Sequence, residues 1–393
     1  MNNSERIFNL TFAKAFSMSF LVGITFASNA VYPLYVEHTG GGAAEIGRFM
    51  SVYFLSGVLA RPLIGWMIDR WGVNRVLLMS NLLMALPPLG FFLLLDQGLS
   101  PLVWGLRVAQ GLGNAGHFTA YFTLAGQNAP QGRLNETIGK YGLAGLSAFM
   151  VGPPLGEWVV KGFGLSEFFL VMFAFGMVSV FITLNLPKAE ERDTDSPPPS
   201  VKGMLTVFKS LRMWFVFFLG MAVNSAFSAA VNFLAPIAEE RGISEFGPYF
   251  TALGITALLV RTLGASWGDR FGARRMLVPA FLLYVAAMGV LHFSQTTLHL
   301  VAGGILAGLA HGTAFPLATT LAIVYAPPRY KGSAMAMHTG VMDMAIAVSA
   351  FVLGGLAADF GYGVVFPLSG LLPLLAALAI VADILRKPGR VTQ

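Results

Sequence analysis

Along the chain, long apolar stretches alternate with short polar turns. Twelve stretches are long enough to cross a membrane, near 12–36, 46–68, 76–95, 101–127, 138–159, 166–187, 212–236, 246–267, 276–294, 298–325, 333–357 and 363–385. A hydrocarbon core about 30 Å thick needs roughly 20 apolar residues of helix per crossing, so the pattern predicts an all-α integral membrane protein with twelve transmembrane helices. The first stretch is too long for the apolar region of a signal peptide, and eleven others follow it. The longest polar stretch runs from Lys188 to Lys209 and holds Glu190, Glu191, Asp193, Asp195 and Ser196-Pro197-Pro198-Pro199-Ser200. It lacks the apolar surface to fold alone. Residues 188–211 therefore read as a linker between two six-helix bundles, 1–187 and 212–393.

Composition agrees with the pattern. Of 393 residues, 55% are apolar and only 11% charged, with a mean hydropathy of +0.69; so few charges could not coat a soluble protein of this length. The chain has no Cys, which excludes disulfides, thiolate metal sites and a cysteine nucleophile. A net charge of +6 invites a nucleic-acid reading, but its distribution argues against one. With the N-terminus inside, nineteen of the 25 Lys and Arg residues fall in inner segments; Arg48, Lys161 and Arg241 fall in outer loops, and Arg61, Arg107 and Arg261 lie within spans. This is the positive-inside pattern, with both termini cytoplasmic and no nucleic-acid partner.

The halves repeat. At an offset of 200, the segment Arg61 to Arg75 matches Arg261 to Arg275 at six of fifteen positions, including Asp69 on Asp269, Arg70 on Arg270 and Gly72 on Gly272. At an offset of 197, Gly111-Leu112 falls on Gly308-Leu309, and Ala129-Pro130 on Ala326-Pro327. Six is an even number of crossings, so the repeat is parallel and the bundles pseudo-symmetric. Gly65-Trp66-Met67-Ile68-Asp69-Arg70-Trp71-Gly72-Val73-Asn74-Arg75 resembles the loop 2–3 signature of the major facilitator superfamily. Arg107-Val108-Ala109-Gln110-Gly111-Leu112-Gly113 is similar to its fourth-span motif, and Gly142 to Gly156, ending Gly152-Pro153-Pro154-Leu155-Gly156, to the fifth-span motif of its antiporters. The resemblance, to a twelve-helix efflux-permease-like branch, covers nearly the whole chain. It implies a multi-pass protein of a prokaryotic cytoplasmic membrane, a monomer without cofactor, whose halves rock about a central solute site.

Polar residues inside the spans are candidates for that site. Arg107, Gln110, Asn114, His117 and Tyr121 follow at steps of three and four, so they share one helix face. Facing lipid, an Arg is costly; the face either lines a wet cavity, the reading preferred here, or forms a polar seam between helices. Fainter stripes occur in span one (Thr25, Ser28, Asn29, Tyr32), span seven (Asn224, Ser228, Asn232) and span ten (His311). The resemblance implies that spans one, four, seven and ten line the cavity. Asp343 is the one carboxylate expected near mid-membrane, and with His117 and His311 it is a candidate proton coupler.

At the cytoplasmic surface, Gly72 permits the sharp reversal between spans two and three. The resemblance implies that Asp69, with Arg70, Arg75 and the repeat copies Asp269 and Arg270, belongs to a charged inner gate, with Arg133 and Glu136 as further members. Gly152, Pro153 and Pro154 predict a bend in span five. No Gly-rich phosphate loop followed by Lys-Ser/Thr appears, no metal-ligand cluster stands out, and the loops are too short for a catalytic or receptor output domain. Span one carries no acid, unlike many drug–proton antiporters, which favours an anionic or polar neutral solute over polyspecific cationic drugs. The expected function is transport of a small organic solute by proton-coupled efflux. Proton-coupled import of an organic anion or sugar is the alternative; a membrane-embedded enzyme or receptor is more remote.

Overall fold

The computed structural model describes residues 7–130, 133–187, 201–264, 270–327 and 330–386. The chain divides into two compact units, Met1–Asp193 and Thr194–Gln393. In the first, α1 (Leu10–Ala27) passes through a 3₁₀ turn, Ser28–Val31, into α2 (Tyr32–His38). There follow α3 (Ala43–Trp71), α4 (Val73–Leu93), α5 (Pro101–Gln127), α6 (Leu134–Phe163) and α7 (Leu165–Leu184). In the second, a short α8 (Val201–Phe208) precedes α9 (Leu211–Glu240), α10 (Gly247–Leu263), α11 (Ala273–His292), α12 (Thr297–Tyr325), α13 (Lys331–Phe360) and α14 (Val365–Arg386).

Counting α1 and α2 as one broken span, twelve helical segments coincide with the twelve apolar stretches. Among the described residues, ten are long and apolar enough to cross a membrane. The other two are α5, whose mean hydropathy its polar face lowers, and α10, described over 17 residues.

The repeat reappears as packing. In the first unit α5 packs on α3 and α4, α7 on α4, and α1 on α6 and α7. In the second unit α12 packs on α10 and α11, α14 on α11, and α9 on α13 and α14. Each pairing has its counterpart at the matching span. The interhelical turns repeat as well: Gly72 alone joins α3 to α4 with φ +83°, and Gly272 precedes α11 with φ +86°. That left-handed conformation is open to glycine and strained for other residues, so the same residue recurs at both turns.

Close helix approach also repeats. A Cβ on Gly111 would run into the Tyr53 carbonyl, and one on Gly308 into the Leu253 carbonyl at 2.6 Å. Small residues at these crossings let backbones meet where no apolar driving force separates helix from lipid. The helix α6 continues through Gly152, Pro153 and Pro154. There Gly152 lets α1 approach, since a Cβ would lie 2.8 Å from that of Ala27.

Candidate functional site

Four members of the α5 stripe, Arg107, Gln110, His117 and Tyr121, are buried, whereas Asn114 is half-buried. Arg107 donates from Nε to the Phe49 carbonyl at 3.1 Å, and from Nη1 to Asn29 Oδ1 at 2.6 Å and Gln110 Oε1 at 3.1 Å. Its guanidinium lies over the rings of Tyr32, Phe49 and Tyr53 at 4.7, 4.7 and 4.4 Å. Among the described residues no carboxylate pairs with it; neutral acceptors and ring faces replace water around the cation. Gln110 in turn donates to Tyr32 Oη at 2.7 Å. Asn29 reaches Arg107 because the first span breaks: Pro33 has no N–H to continue the helix, the Tyr32 N–H bonds the Asn29 carbonyl in a 3₁₀ step, and Asn29 Oδ1 faces inward.

Two turns further on, a hydrogen-bond chain links four helices. The Thr183 hydroxyl donates to the Ser179 carbonyl at 2.7 Å, so its oxygen accepts from Asn81 Nδ2 at 2.7 Å. Asn81 Oδ1 must then accept from His117 Nδ1 at 2.7 Å, leaving Nε2 to accept from Ser19 Oγ at 3.1 Å. This order places a proton on His117 Nδ1, so the neutral ring has one tautomer, with Nε2 as the acceptor. Tyr121 stacks on His117 with centroids 5.5 Å apart and donates to the Tyr141 carbonyl at 3.1 Å.

In this conformation Arg107, Gln110, His117, Tyr121 and Asn29 therefore spend their polar atoms on their own half. The wet cavity face expected from the sequence is here a packed seam, because groups on α1, α3, α4, α6 and α7 supply the partners that water would otherwise provide. Nothing in the sequence singles out Asn81, Ser19 and Thr183, each a small polar side chain in a predominantly apolar span.

What remains partly accessible is aromatic. In the first half, Phe26 meets Phe118 and Phe149 with ring centroids 5.9 and 5.4 Å apart, and all three are half-buried. Asn114 lies one turn before Phe118, and its Oδ1 accepts no hydrogen bond among the described residues. In the second half, Phe227 stacks on His311 at 5.2 Å and His311 meets Phe315 at 5.3 Å. All three are half-buried. At the offset of 197, Asn114 falls on His311 and Phe118 on Phe315; at 201, Phe26 falls on Phe227. Tyr284 Oη bonds His311 Nδ1 at 2.7 Å, which leaves Nε2 for another partner.

The other expected residues separate. Asn224 and Ser228 donate to the Met342 and Ile346 carbonyls at 2.9 and 3.1 Å, and Asn232 donates to Ser228 Oγ at 2.8 Å, tying α9 to α13. Asp343 is half-buried on α13. His338, five residues before it, is fully buried beside Gly220 with neither ring nitrogen bonded among the described residues. At the loops, Asp69, Arg70, Gly72, Arg75 and Arg270 are exposed, and Asp269 lies outside the described residues. Arg133 pairs with Glu136 at 2.7 Å, and Glu136 with Lys140 at 2.7 Å. The hydrogen bond to Glu136 holds the Arg133 guanidinium above its ordinary pKa. The expected link from this pair to Asp69 is not made among the described residues; neighbours three and four residues along the same helix satisfy it instead.

Comparison with known proteins places this geometry. The chain is 25% identical over 368 residues to the multidrug resistance protein MdtG of Citrobacter koseri, covering 88% of each chain. To the MdtG of Escherichia coli it is 24% identical with the same coverage. Its fold is similar to the crystal structure of the nucleoside transporter NupG, with a TM-score of 0.76 at 16% identity over 95% of this chain and 99% of that one. It is also similar to the human organic anion transporter MFSD10, with a TM-score of 0.69 at 17% identity over 94% and 98%. The profile of the Major Facilitator Superfamily matches residues 15–262 and 233–393. The chain therefore belongs to the Major Facilitator Superfamily: it is a multi-pass membrane transporter of small molecules, and not an enzyme.

Proposed function

We propose that this protein is a secondary active exporter of small organic solutes bearing aromatic or apolar rings, exchanging them for protons by alternating access of its two six-helix halves. The observation that carries this reading is the repeat-related pair of half-buried aromatic clusters, each with one polar group holding spare hydrogen-bonding capacity: Asn114 beside Phe26 and Phe118, and His311 between Phe227 and Phe315. Ring faces accept many planar solutes, at about 0.5–1.5 kcal/mol per well-placed pair beyond burial. A single amide or imidazole orients a solute without demanding one shape. The multidrug resistance relatives support outward transport. Neither cluster contains an acid, which favours neutral or anionic solutes over cations.

In this reading Arg107 holds Asn29, Gln110 and Tyr32 in place beneath the first cluster, and Asp343 exchanges the proton. The test is solute flux in everted vesicles with and without a pH gradient. Phe118→Ala and Phe315→Ala are expected to raise the apparent KM roughly three- to tenfold, from the loss of about 1 kcal/mol of ring contact. Asp343→Asn should abolish gradient-driven flux and keep solute counterflow. Unchanged KM in both aromatic variants removes the clusters from the solute path, and flux indifferent to the gradient removes the proton. Gradient-driven movement in the opposite sense replaces export with import.

A further inference from the structure

The helix α8 and the first turn of α9 carry a surface that solute transport leaves unused. On the side packed against α13 and α9, Gly203 and Val207 are buried one turn apart. Elsewhere on the segment, Leu205, Phe208, Leu211 and Trp214 are 59, 50, 84 and 45% exposed. Phe208 and Trp214 meet edge to face at 4.7 Å, and Trp214 Nε1 donates to the Phe208 carbonyl at 2.8 Å, pinning the end of α8 to the start of α9. The indole N–H is thus satisfied and the ring is free to enter an apolar phase. Lys209 and Arg212 are exposed among these side chains and have no ion-pair partner among the described residues. No acid occurs from Val201 to Ala238.

We infer that α8 and the first turn of α9 form a docking surface for anionic phospholipid headgroups of the cytoplasmic leaflet, with Leu205, Phe208, Leu211 and Trp214 immersed and Lys209 and Arg212 on the phosphates. The inference rests on the inside-positive topology and not on the solute or its coupling ion. Two features select lipid as the occupant. The apolar patch is continuous with the outer surface of α9, a membrane-spanning helix whose Met221 is likewise exposed. Its Trp, two cations and absence of acids match an interface of anionic headgroups over acyl chains.

The chain has no Cys, so Leu205→Cys gives one attachment point for a bimane label. In vesicles of three parts phosphatidylglycerol to seven phosphatidylcholine, with one or the other lipid brominated, phosphatidylglycerol is expected to quench the label at least twofold more per molecule. Adding Lys209→Gln and Arg212→Gln should equalise the two lipids, since each cation near an anionic surface contributes about a fivefold preference. A label at Leu378→Cys, exposed on α14, should be quenched equally by both. The inference is overturned if neither lipid quenches the label at 205, as when water or a protein covers α8, if both quench it equally in the parent chain, or if the label at 378 shows the same preference.

Discussion

At matching positions on the fourth and tenth spans, the first half places Arg107 and the second Gly304. Arg107 Nε bonds the Phe49 carbonyl. A Cβ on Gly304 would run into the carbonyl of Tyr249, which falls on Phe49 at the offset of 200. One half thus answers a neighbouring carbonyl with a cation, and the other lets the helices close on it. The contrast continues along the face: Gln110, His117 and Tyr121 fall on Ala307, Ala314 and Ala318, all buried. At the α9–α13 seam the second half has Asn224 and Ser228 donating to carbonyls of α13, where the first half has Ser28 donating to the Gly152 carbonyl of α6. The repeat therefore sets where helices run and which of them touch, while each half fills the shared positions in its own way. Along the α5 face directional bonds fill the shared positions; along the α12 face small apolar contacts do, and the directional bonds of the second half lie elsewhere, at Arg241, Arg274 and the α9–α13 seam.

Substitution can break the comparison, and the thermal unfolding of purified protein reads the result. The largest effect is expected from Arg107→Ala, which orphans Asn29 Oδ1 and Gln110 Oε1, removes a second donor from the Phe49 carbonyl and leaves a cavity, costing about 4 kcal/mol. A loss under 1 kcal/mol would mean that the cage relaxes and the first half is as adaptable as the second. Next comes Gly304→Ala, about 2 kcal/mol, because the obstacle is backbone and the helices must separate. His117→Ala follows at about 2 kcal/mol, since it breaks a chain through four helices, while His311→Ala, which loses one side-chain bond, to Tyr284, should cost about 1 kcal/mol. Equal losses at the two histidines would erase the asymmetry. Tyr121→Phe removes the bond to the Tyr141 carbonyl and keeps the ring stacked on His117, about 0.6 kcal/mol by the measure of single hydrogen bonds in membrane helices. The smallest shift in stability belongs to the exposed Asp69→Asn, where none is expected. Transport should nonetheless fall if the loop acid closes an inner gate, and unimpaired flux would count against that role.

Much of the architecture is legible in the residues. Among the described residues, hydropathy and length mark ten of the spans, since crossing a membrane imposes a length and a composition on each helix separately; α5 and α10 fall short of that measure. Gly72 and Gly272 announced their turns because a positive φ restricts residue type. The steps of three and four put Arg107, Gln110, His117 and Tyr121 on one face, as observed. Less legible was what that face meets. Asn114, one more member of the stripe, differs from its companions in staying half-buried, with a buried Oδ1 that accepts no hydrogen bond among the described residues. Phe26, Phe118 and Phe149, invisible against an apolar background, gather one turn beyond it.

The sequence by itself determined the number of helices, the parallel repeat and the family, because these follow from local periodicity, hydropathy and short motifs. Only the tertiary structure decided that Arg107 is caged and that His117 lies between Ser19 and Asn81. Their partners include a carbonyl 58 residues away and a Ser 98 residues away. A backbone carbonyl is the same in every residue, so no pattern of side chains can announce which one a buried cation will find.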